Sequence, residues 1–416
     1  MMRSNLIAED MKMALQTIRA HKVRSFLTVL GVVIGVSVAI LVSSILLGVQ
    51  KNVQDSLNEF GVDNLFIFKF DPGFRFGNLS PEERVRKSLT FEDGQALLDL
   101  PHLKNVTVEA LFHISGQGPQ PIRTARNKNH ELTSIIFRGV TASYSEVVNG
   151  KMKEGRFFTD LEDLHREDMV ILGFDAEKAL FPDESAVGKQ LLVDGNLYTV
   201  LGVFAKKKNT FAHQGDVEVL IPYRTYRKHY PQDDENFVIA MAQPGKKEVA
   251  EDEVRGLLRL RRRVPLNKPD NFGISSAESM GNQFADIMAG ILKYVVVVAS
   301  IGLLVGGVGV MNIMLMSVTE RTREIGVRKA IGARKRDISF QFITEAMTLT
   351  GVGGILGVIL SLLISLLLQA IHFPSAVPMW AITLALTVSC SVGLFFGIYP
   401  AMKAARLDPV IALRYE

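Results

Sequence analysis

The chain contains 416 residues, of which 48% are hydrophobic and 22% charged, and its mean hydropathy is +0.20. Three stretches, residues 25–50, 294–319 and 346–402, contain no Asp, Glu, Lys or Arg, so charge and apolar character are strongly segregated. That segregation excludes a soluble enzyme and a disordered or fibrous chain, and it attributes the net charge of +4 to membrane topology rather than to nucleic-acid binding.

Residues 1–24 predict a cytoplasmic amphipathic helix on the membrane surface. Leu6, Met11, Leu15 and Ile18 recur at helical spacing, with polar residues between them. A frayed tail is the alternative interpretation.

The first uncharged stretch, residues 25–50, predicts a transmembrane helix, because about 20 apolar residues cross a bilayer. A cleaved signal peptide is less favoured, since the apolar run is too long and no clear cleavage site follows. Residues 291–318 predict the second span. The third stretch fits two spans, 346–371 and 379–400, because prolines at positions 374 and 378 break it at an outer hairpin, residues 372–378.

Each predicted span carries two glycines four residues apart. Small residues let membrane helices approach closely, which supplies packing energy that lipid-exposed apolar side chains cannot. Four pairs in four spans predict a tight helix bundle. The glycines are Gly31, Gly35, Gly302, Gly306, Gly353, Gly357, Gly393 and Gly397.

Residues 51–290 predict a large α+β domain on the outer side of the membrane. Strand, helix and strand patterns occur near its start, at 64–70, 89–100 and 106–114, and again near its end. We interpret these as two βαβ halves of one subdomain, with a β-rich subdomain inserted at about 116–225. Asp194-Gly195 lies between alternating apolar runs and predicts a β-hairpin there.

Orientation follows from the distribution of Lys and Arg in the short segments. Residues 1–24 contain five, the 319–345 loop contains seven, and the 372–378 hairpin contains none. Both termini and the loop are therefore expected in the cytoplasm, by the positive-inside rule.

Chemistry-bearing motifs are weak throughout the chain. The histidines have no metal-ligand spacing, no nucleophile elbow is present, and Gly188-Lys189 lacks the rest of a phosphate-binding loop. The sequence therefore predicts no catalytic residue, no metal site and no cofactor bound by the chain itself.

The 319–345 loop carries the most specific pattern. It begins Glu-Arg-Thr-Arg-Glu-Ile-Gly-Val-Arg-Lys-Ala-Ile-Gly-Ala at residues 320–333, with charges of both signs around an apolar stripe of Ile325, Val327, Ala330 and Ile331. A short helix of this kind can enter a groove of a partner protein. This string, together with residues 399–409 and the closing residues 412–416 of the 401–416 tail, strongly resembles the MacB-type permeases of the FtsX-like family of ABC transporter membrane subunits.

The resemblance implies a homodimer bound to two copies of a cytoplasmic ATPase, which supplies ATP and Mg²⁺ chemistry. Closure of the ATPase would be transmitted through the spans to the outer domains, and substrate would be moved outside the bilayer. The segment expected to couple the two proteins comprises Glu320, Arg321, Arg323, Glu324, Ile325, Gly326, Arg328, Lys329, Ala330, Gly332 and Ala333.

In the type member of the family the ATPase is fused ahead of the first span. Here no Walker motif is present, so the ATPase is expected in a partner chain. A bacterial inner-membrane location and contact with membrane lipids also follow from the resemblance. Some members of the family engage a periplasmic adaptor and an outer-membrane exit duct, and the sequence leaves open whether this chain does.

Export of an unidentified substrate is the favoured function. An FtsX-like regulatory scaffold and a lipoprotein-release permease would use the same transmission mechanism and stay open. A membrane receptor is less favoured, because the cytoplasmic loop is too short for an output domain.

Overall fold

The architecture comes from a computed structural model, which describes residues 22–59, 61–71, 80–111, 122–128, 130–206, 217–371 and 373–413. The predicted surface helix at 1–24 lies almost entirely outside the described residues. Contacts divide the chain into a membrane unit, Met1–Gln50 with Asp286–Glu416, and an outer unit, Lys51–Ala285.

The helices and strands are numbered separately in chain order. The helices are α1 Lys22–Glu59, α2 Pro81–Arg84, α3 Phe91–Ala96, α4 Tyr144–Val147, α5 Asp160–Leu164, α6 Phe174–Leu180, α7 Tyr223–His229, α8 Lys247–Arg261, α9 Ala277–Glu320, α10 Thr322–Ala330, α11 Lys335–Ala370, α12 Met379–Arg406 and α13 Pro409–Leu413. The strands are β1 Asn64–Phe68, β2 Leu103–Leu111, β3 Thr124–Asn127, β4 His130–Thr133, β5 Ile136–Val140, β6 Met152–Gly155, β7 Met169–Leu172, β8 Gln190–Val193, β9 Asn196–Phe204, β10 Glu218–Pro222, β11 Glu235–Ala242 and β12 Gly273–Ser276.

Four helices, α1, α9, α11 and α12, are long and apolar enough to cross a membrane. They correspond to the four predicted spans. Helix α9 has 44 residues, so it is about 66 Å long at 1.5 Å per residue, well beyond the roughly 30 Å of a hydrocarbon core.

The helix of the fourth predicted span, residues 379–400, extends beyond the predicted range. Helix α12 continues through Pro400 to Arg406. A proline inside a helix removes a backbone hydrogen bond and favours a kink. Packing compensates here, because Ala401 and Ala404 after the proline are fully buried among side chains of the other helices.

The outer unit contains one twelve-stranded sheet. Its path runs β12-β1-β11-β2-β5-β10-β7-β9-β8-β3-β4, with β6 paired to β9. The first four positions come from the two ends of the unit, and β1, β11, β12 and β2 are antiparallel neighbours. This arrangement confirms the predicted fold class, in which two terminal halves combine and the strands between them form a β-rich insertion.

Local sequence signals account for several of these elements. Helix α3 begins at a capping box, in which the Thr90 side chain accepts from the Asp93 backbone N–H and the Asp93 side chain accepts from the Thr90 N–H. Asp194 and Gly195 have φ angles of 47° and 83°, the left-handed pair that joins β8 to β9 in a tight hairpin. The predicted hairpin is confirmed.

A buried ion cluster crosses the junction between the terminal strands and the insertion. Arg138 on β5 donates to Glu109 on β2 at 2.9 Å and to Glu218 on β10. The Glu109 and Glu218 side chains are only 1% and 8% exposed. Burial alone would lower the pKa of Arg138, but Tyr144 and the two carboxylates outweigh it and hold this pKa well above its ordinary value. Arg138 therefore stays protonated, and its hydrogen bonds link three neighbouring strands.

We predict that Arg138→Met destabilises the outer unit by about 3 kcal/mol or more, because it removes the arginine that pairs with two buried carboxylates. Arg156→Met is the matched control. Arg156 also pairs with a carboxylate, Glu162, but its side chain is 54% exposed, and exposed pairs contribute about 1 kcal/mol or less. Denaturant unfolding of both variants measures the difference, and equal losses would contradict the role assigned to the junction.

Candidate functional site

The glycine pairs of the first two spans face each other. A Cβ atom added to Gly31 would lie 3.0 Å from the Cα of Gly306, and one added to Gly302 would lie 3.4 Å from the Cα of Gly35. Distances of 3.0–3.4 Å are shorter than nine in ten real Cβ contacts. Helices α1 and α9 are therefore in backbone contact along this line, as small-residue packing in membranes requires.

The third pair, on α11, faces α1. Cβ atoms added to Gly353 and Gly357 on α11 would lie 3.1 Å and 2.8 Å from side-chain atoms of Val32 and Val36. Beside this contact, the Ser37 hydroxyl donates to the Gly357 carbonyl at 3.1 Å. Helix α1 thus packs between α9 and α11.

The fourth pair joins α12 to α11. A Cβ atom on Gly393 would lie 2.9 Å from the Ala346 carbonyl oxygen, and one on Gly397 would lie 2.7 Å from the Ala346 Cβ. The Ser389 hydroxyl donates to the Thr350 carbonyl at 2.6 Å in the same contact. All eight predicted packing glycines therefore lie at helix contacts within one chain.

The second part of the site is α10, which follows α9 after a break at Arg321. The sequence predicted a short helix here, and the structure places it at Thr322–Ala330. The helix ends before Gly332, whose φ of +103° is a conformation that glycine adopts without strain.

The inner face of α10 is buried in the membrane unit. Ile325 is 2% exposed and packs in a cluster with Val318, Ile338 and Phe342. A Cβ atom on Gly326 would lie 2.8 Å from the Cβ of Ala412, so this glycine permits close contact with α13. The apolar stripe predicted from the sequence is therefore divided. Ile325 is buried in the membrane unit, whereas Val327 and Ile331 are exposed.

Lys329 ties α10 to the end of α12. Its ammonium donates to the backbone carbonyls of Ala405 and Leu407 at 2.6 and 2.7 Å. These carbonyls lie at the helix C-terminus, where unsatisfied oxygens and the helix dipole favour a cation. Burial and the nearby Lys335 lower the pKa of Lys329, against the opposing effect of Asp408.

Two arginines add polar anchors to α11. Arg328 donates to Gln341 at 2.6 Å, and it also pairs with Glu324 one turn away on α10 at 2.5 Å. Arg321 pairs with Glu345 at 3.4 Å, where the Glu345 side chain is only 6% exposed. These arginines therefore hold α10 in place against α11.

The exposed face of α10, with the residues next to it, combines charged and aliphatic side chains. Val327 is 46% exposed and Ile331 is 81% exposed, with Glu320, Arg323, Glu324 and Ala330 also exposed. Helix α13 packs against α10 and carries three further exposed aliphatic residues. Together they form what we call the docking face, whose aliphatic members are Val327, Ile331, Val410, Ile411 and Leu413.

The structure thus sorts the predicted coupling residues into two groups. Arg321, Ile325, Gly326, Arg328, Lys329 and Ala333 face or anchor to the membrane unit, whereas Glu320, Arg323, Glu324, Ala330 and Gly332 are exposed. Sequence reasoning missed Glu345, Gln341 and the α13 aliphatics. Only the similarity of the tail to a known motif could have drawn attention to α13, and no local pattern indicated the other two.

Comparison with known proteins gives matches along almost the whole chain. Residues 25–257 match the model of the MacB-like periplasmic core domain, and residues 296–409 match that of the FtsX-like permease C-terminal domain. The chain is 32% identical over 412 residues to the macrolide export ATP-binding/permease protein MacB of Wolinella succinogenes, and 33% identical over 413 residues to that of Marinobacter nauticus. Each match covers 98% of this chain and 61% of the relative, so the chain spans about three fifths of their length.

Two solved structures resemble part of the chain. The periplasmic region of MacB from Actinobacillus actinomycetemcomitans is 19% identical with a TM-score of 0.44, covering 55% of this chain and 96% of that one. The extracellular domain of the noncanonic ABC-type transporter YknZ from Gram-positive bacteria is 19% identical with a TM-score of 0.39, covering 51% of this chain and all of that one.

We predict that Gly306→Leu destabilises the membrane unit, because even a Cβ atom there would lie 2.9 Å from the backbone nitrogen of Val32. Overpacking of this kind costs about 1–3 kcal/mol. Gly290→Leu, on the same helix, is the matched control, since among the described residues no heavy atom lies within 4 Å of a Cβ at Gly290. Thermal unfolding in detergent should show a lower midpoint for Gly306→Leu alone, and equal midpoints would contradict the packing role.

Proposed function

The chain belongs to the MacB-like, FtsX-like family of ABC transporter permeases, and from this membership we propose that it is the membrane subunit of an export system powered by a cytoplasmic ATPase in a partner chain. Two copies of the chain would bind two ATPase copies. Closure of the ATPases would move the membrane helices and, through them, the outer domains.

The docking face carries this proposal. An exposed aliphatic surface on a helix that is fixed by its neighbours suits insertion into a groove of another protein. Lys329 and Ile325 hold α10 in position, so Val327 and Ile331 are presented on a rigid support. Charged residues surround them, which is the usual composition of an interface rim.

The charge distribution supports a cytoplasmic position for this face. Exposed cations cluster around it, whereas residues 373–378, at the other ends of α11 and α12, contain no Lys or Arg. Positive residues in short segments favour the cytoplasmic side. We therefore propose that α10, α13 and both termini face the cytoplasm, and that the outer unit lies on the opposite side.

The proposal that the chain takes part in export is supported by the names of its relatives, which are macrolide export ATP-binding/permease proteins. A macrolide is accordingly the first substrate class to test. In cells that express the chain with its ATPase, we expect lower macrolide accumulation than in cells with an ATPase whose Walker lysine is replaced. Equal accumulation, together with intact ATPase binding, would favour the regulatory or lipoprotein-release alternative.

We predict that Val327→Asp with Ile331→Asp weakens ATPase binding at least tenfold, because a charge in an apolar contact costs about 2 kcal/mol or more unless it is paired. Stimulation of ATP hydrolysis by the permease should fall with it. Both measurements use the ATPase that co-purifies with the wild-type chain. Ile325 is unsuitable for this test, since a charge there would disturb the core.

Lys335→Gln with Arg336→Gln is the control. It also lowers the net charge by two, at exposed positions outside the docking face, so both variants change the net charge of this segment equally. Binding should remain close to wild type in this control. If the control loses as much binding as the aspartate variant, the segment acts through its charge and the docking face is wrong.

A further inference from the structure

A second exposed surface lies in the outer unit, where α8 ends. Residues 265–268 form a β-turn closed by a hydrogen bond from the Lys268 N–H to the Pro265 carbonyl at 3.0 Å. Leu266 occupies the corner of this turn and is 99% exposed. Leu266 is more exposed than any other large hydrophobic residue that the structure describes.

The turn is held in one conformation by Arg259. This guanidinium donates to the carbonyls of Pro265 and Lys268 at 2.8 and 3.1 Å, and it also pairs with Asp270. Leu266 is therefore exposed in a backbone conformation that is fixed, because the Arg259 side chain holds the backbone on both sides of it.

Arg262 brings a second segment beside the turn. It donates to the backbone carbonyls of Lys87 and Ser88 at 2.5 and 3.2 Å, and to the Asn271 side chain at 2.7 Å. Residues 84–88 and 260–268 thus form one surface, which we call the basic turn surface. Two more aliphatic side chains on it, Val85 and Leu260, are 83% and 76% exposed.

The basic turn surface has an excess of positive charge. Arg261 and Arg262 share one carboxylate, Asp93, at 3.0 and 3.8 Å. Lys87, Arg263 and Lys268 have no ion-pair partner within the part of the chain that the structure describes. Burial and the nearby Arg86 lower the pKa of Arg262 despite Asp93, in keeping with crowding of like charges.

An open cleft of about 480 Å³ adjoins this surface at Arg261. Its aromatic floor is formed by Phe91 and Tyr223, whose rings stack 4.7 Å apart, and its walls carry Glu92 and Arg224. A cleft with aromatic rings and both signs of charge suits the varied side chains of a polypeptide better than it suits the repeated head groups of a lipid surface.

We propose that the basic turn surface is a docking site for a partner protein whose contact segment is acidic and carries aliphatic side chains. The unpaired cations would attract and orient that segment, and Leu266, Leu260 and Val85 would be covered when it binds. This site goes beyond the ATPase-coupled function, because it lies in the outer unit and uses none of the residues of the docking face.

The charge requirement can be tested on the full chain in phosphatidylcholine nanodiscs, with a fluorescent glutamate-rich peptide that contains leucines as the probe. We expect Lys87→Glu, Arg263→Glu and Lys268→Glu together to weaken peptide binding at least tenfold, by loss of charge complementarity. The matched control is Lys151→Glu, Arg166→Glu and Lys178→Glu, which makes the same charge change at exposed positions among the inserted strands. Equal weakening by both triple variants, or no binding of the peptide to the wild type, would overturn the proposal.

The aliphatic requirement needs a second pair of variants. Leu266→Ser should weaken binding of the peptide severalfold, whereas Leu161→Ser, at a position that is 66% exposed, should not. A peptide with serine in place of leucine should not distinguish Leu266→Ser from wild type. Equal affinities of the two leucine variants would contradict the proposal.

Vesicles containing phosphatidylglycerol provide the last comparison. The surface would be a lipid-binding site instead if the wild-type chain in nanodiscs co-floats with these vesicles and the Lys87, Arg263 and Lys268 variant does not, while the variant still binds the peptide. If the wild-type chain does not bind the vesicles and the Lys87, Arg263 and Lys268 variant loses peptide binding, the results support a protein partner.

Discussion

The backbone contact between α1 and α9 at Gly31 and Gly306 is the interaction on which the membrane unit depends. Apolar side chains gain little by leaving lipid for one another, so helices in a bilayer need close packing and hydrogen bonds to associate. Gly31 and Gly306 supply that packing on one side of α1, and α11 receives Val32 and Val36 on the other side. Because a larger share of α1 is buried than of the other spans, it acts as the central helix of the bundle.

The position of α10 follows from this packing. Its core residue, Ile325, shares a cluster with side chains of α9, α11 and α12, so the cluster exists only when those helices are assembled. Lys329 adds a tie to the carbonyls at the end of α12. The short helix is therefore an extension of the bundle, and its exposed face is oriented by contacts made on its buried face.

The sequence allowed the larger features of the fold to be predicted, because they depend on local or averaged properties. Uncharged stretches gave the four spans, and Asp194-Gly195 gave the hairpin through its left-handed backbone. The ion cluster of Arg138 could not be predicted, since its partners, Glu109 and Glu218, come from distant strands that only the sheet topology brings together.

The candidate site shows the same division. A short helix at residues 322–330 could be expected from the family-like motif, but its orientation could not. Ile325 and Val327 are both aliphatic and only two residues apart, yet one is buried and the other exposed. Three-dimensional contacts with α13 and the bundle decide between them, because a nine-residue helix with charges on every side has no pronounced apolar face of its own.

The docking face and the basic turn surface follow one physical rule. In each, cations satisfy backbone carbonyls of the same chain, Lys329 at the end of α12 and Arg259 in the turn, and thereby fix a backbone that holds exposed aliphatic side chains. Ordering of loops and side chains at an interface normally makes binding less favourable. Where the backbone is already fixed in the unbound protein, that loss is smaller, and a partner can gain most of the free energy of covering the aliphatic groups. Under the proposed function, the same rigidity at α10 has a mechanical consequence, since a force applied to Val327 or Ile331 acts on α9, α11 and α12 together rather than being absorbed by a flexible loop.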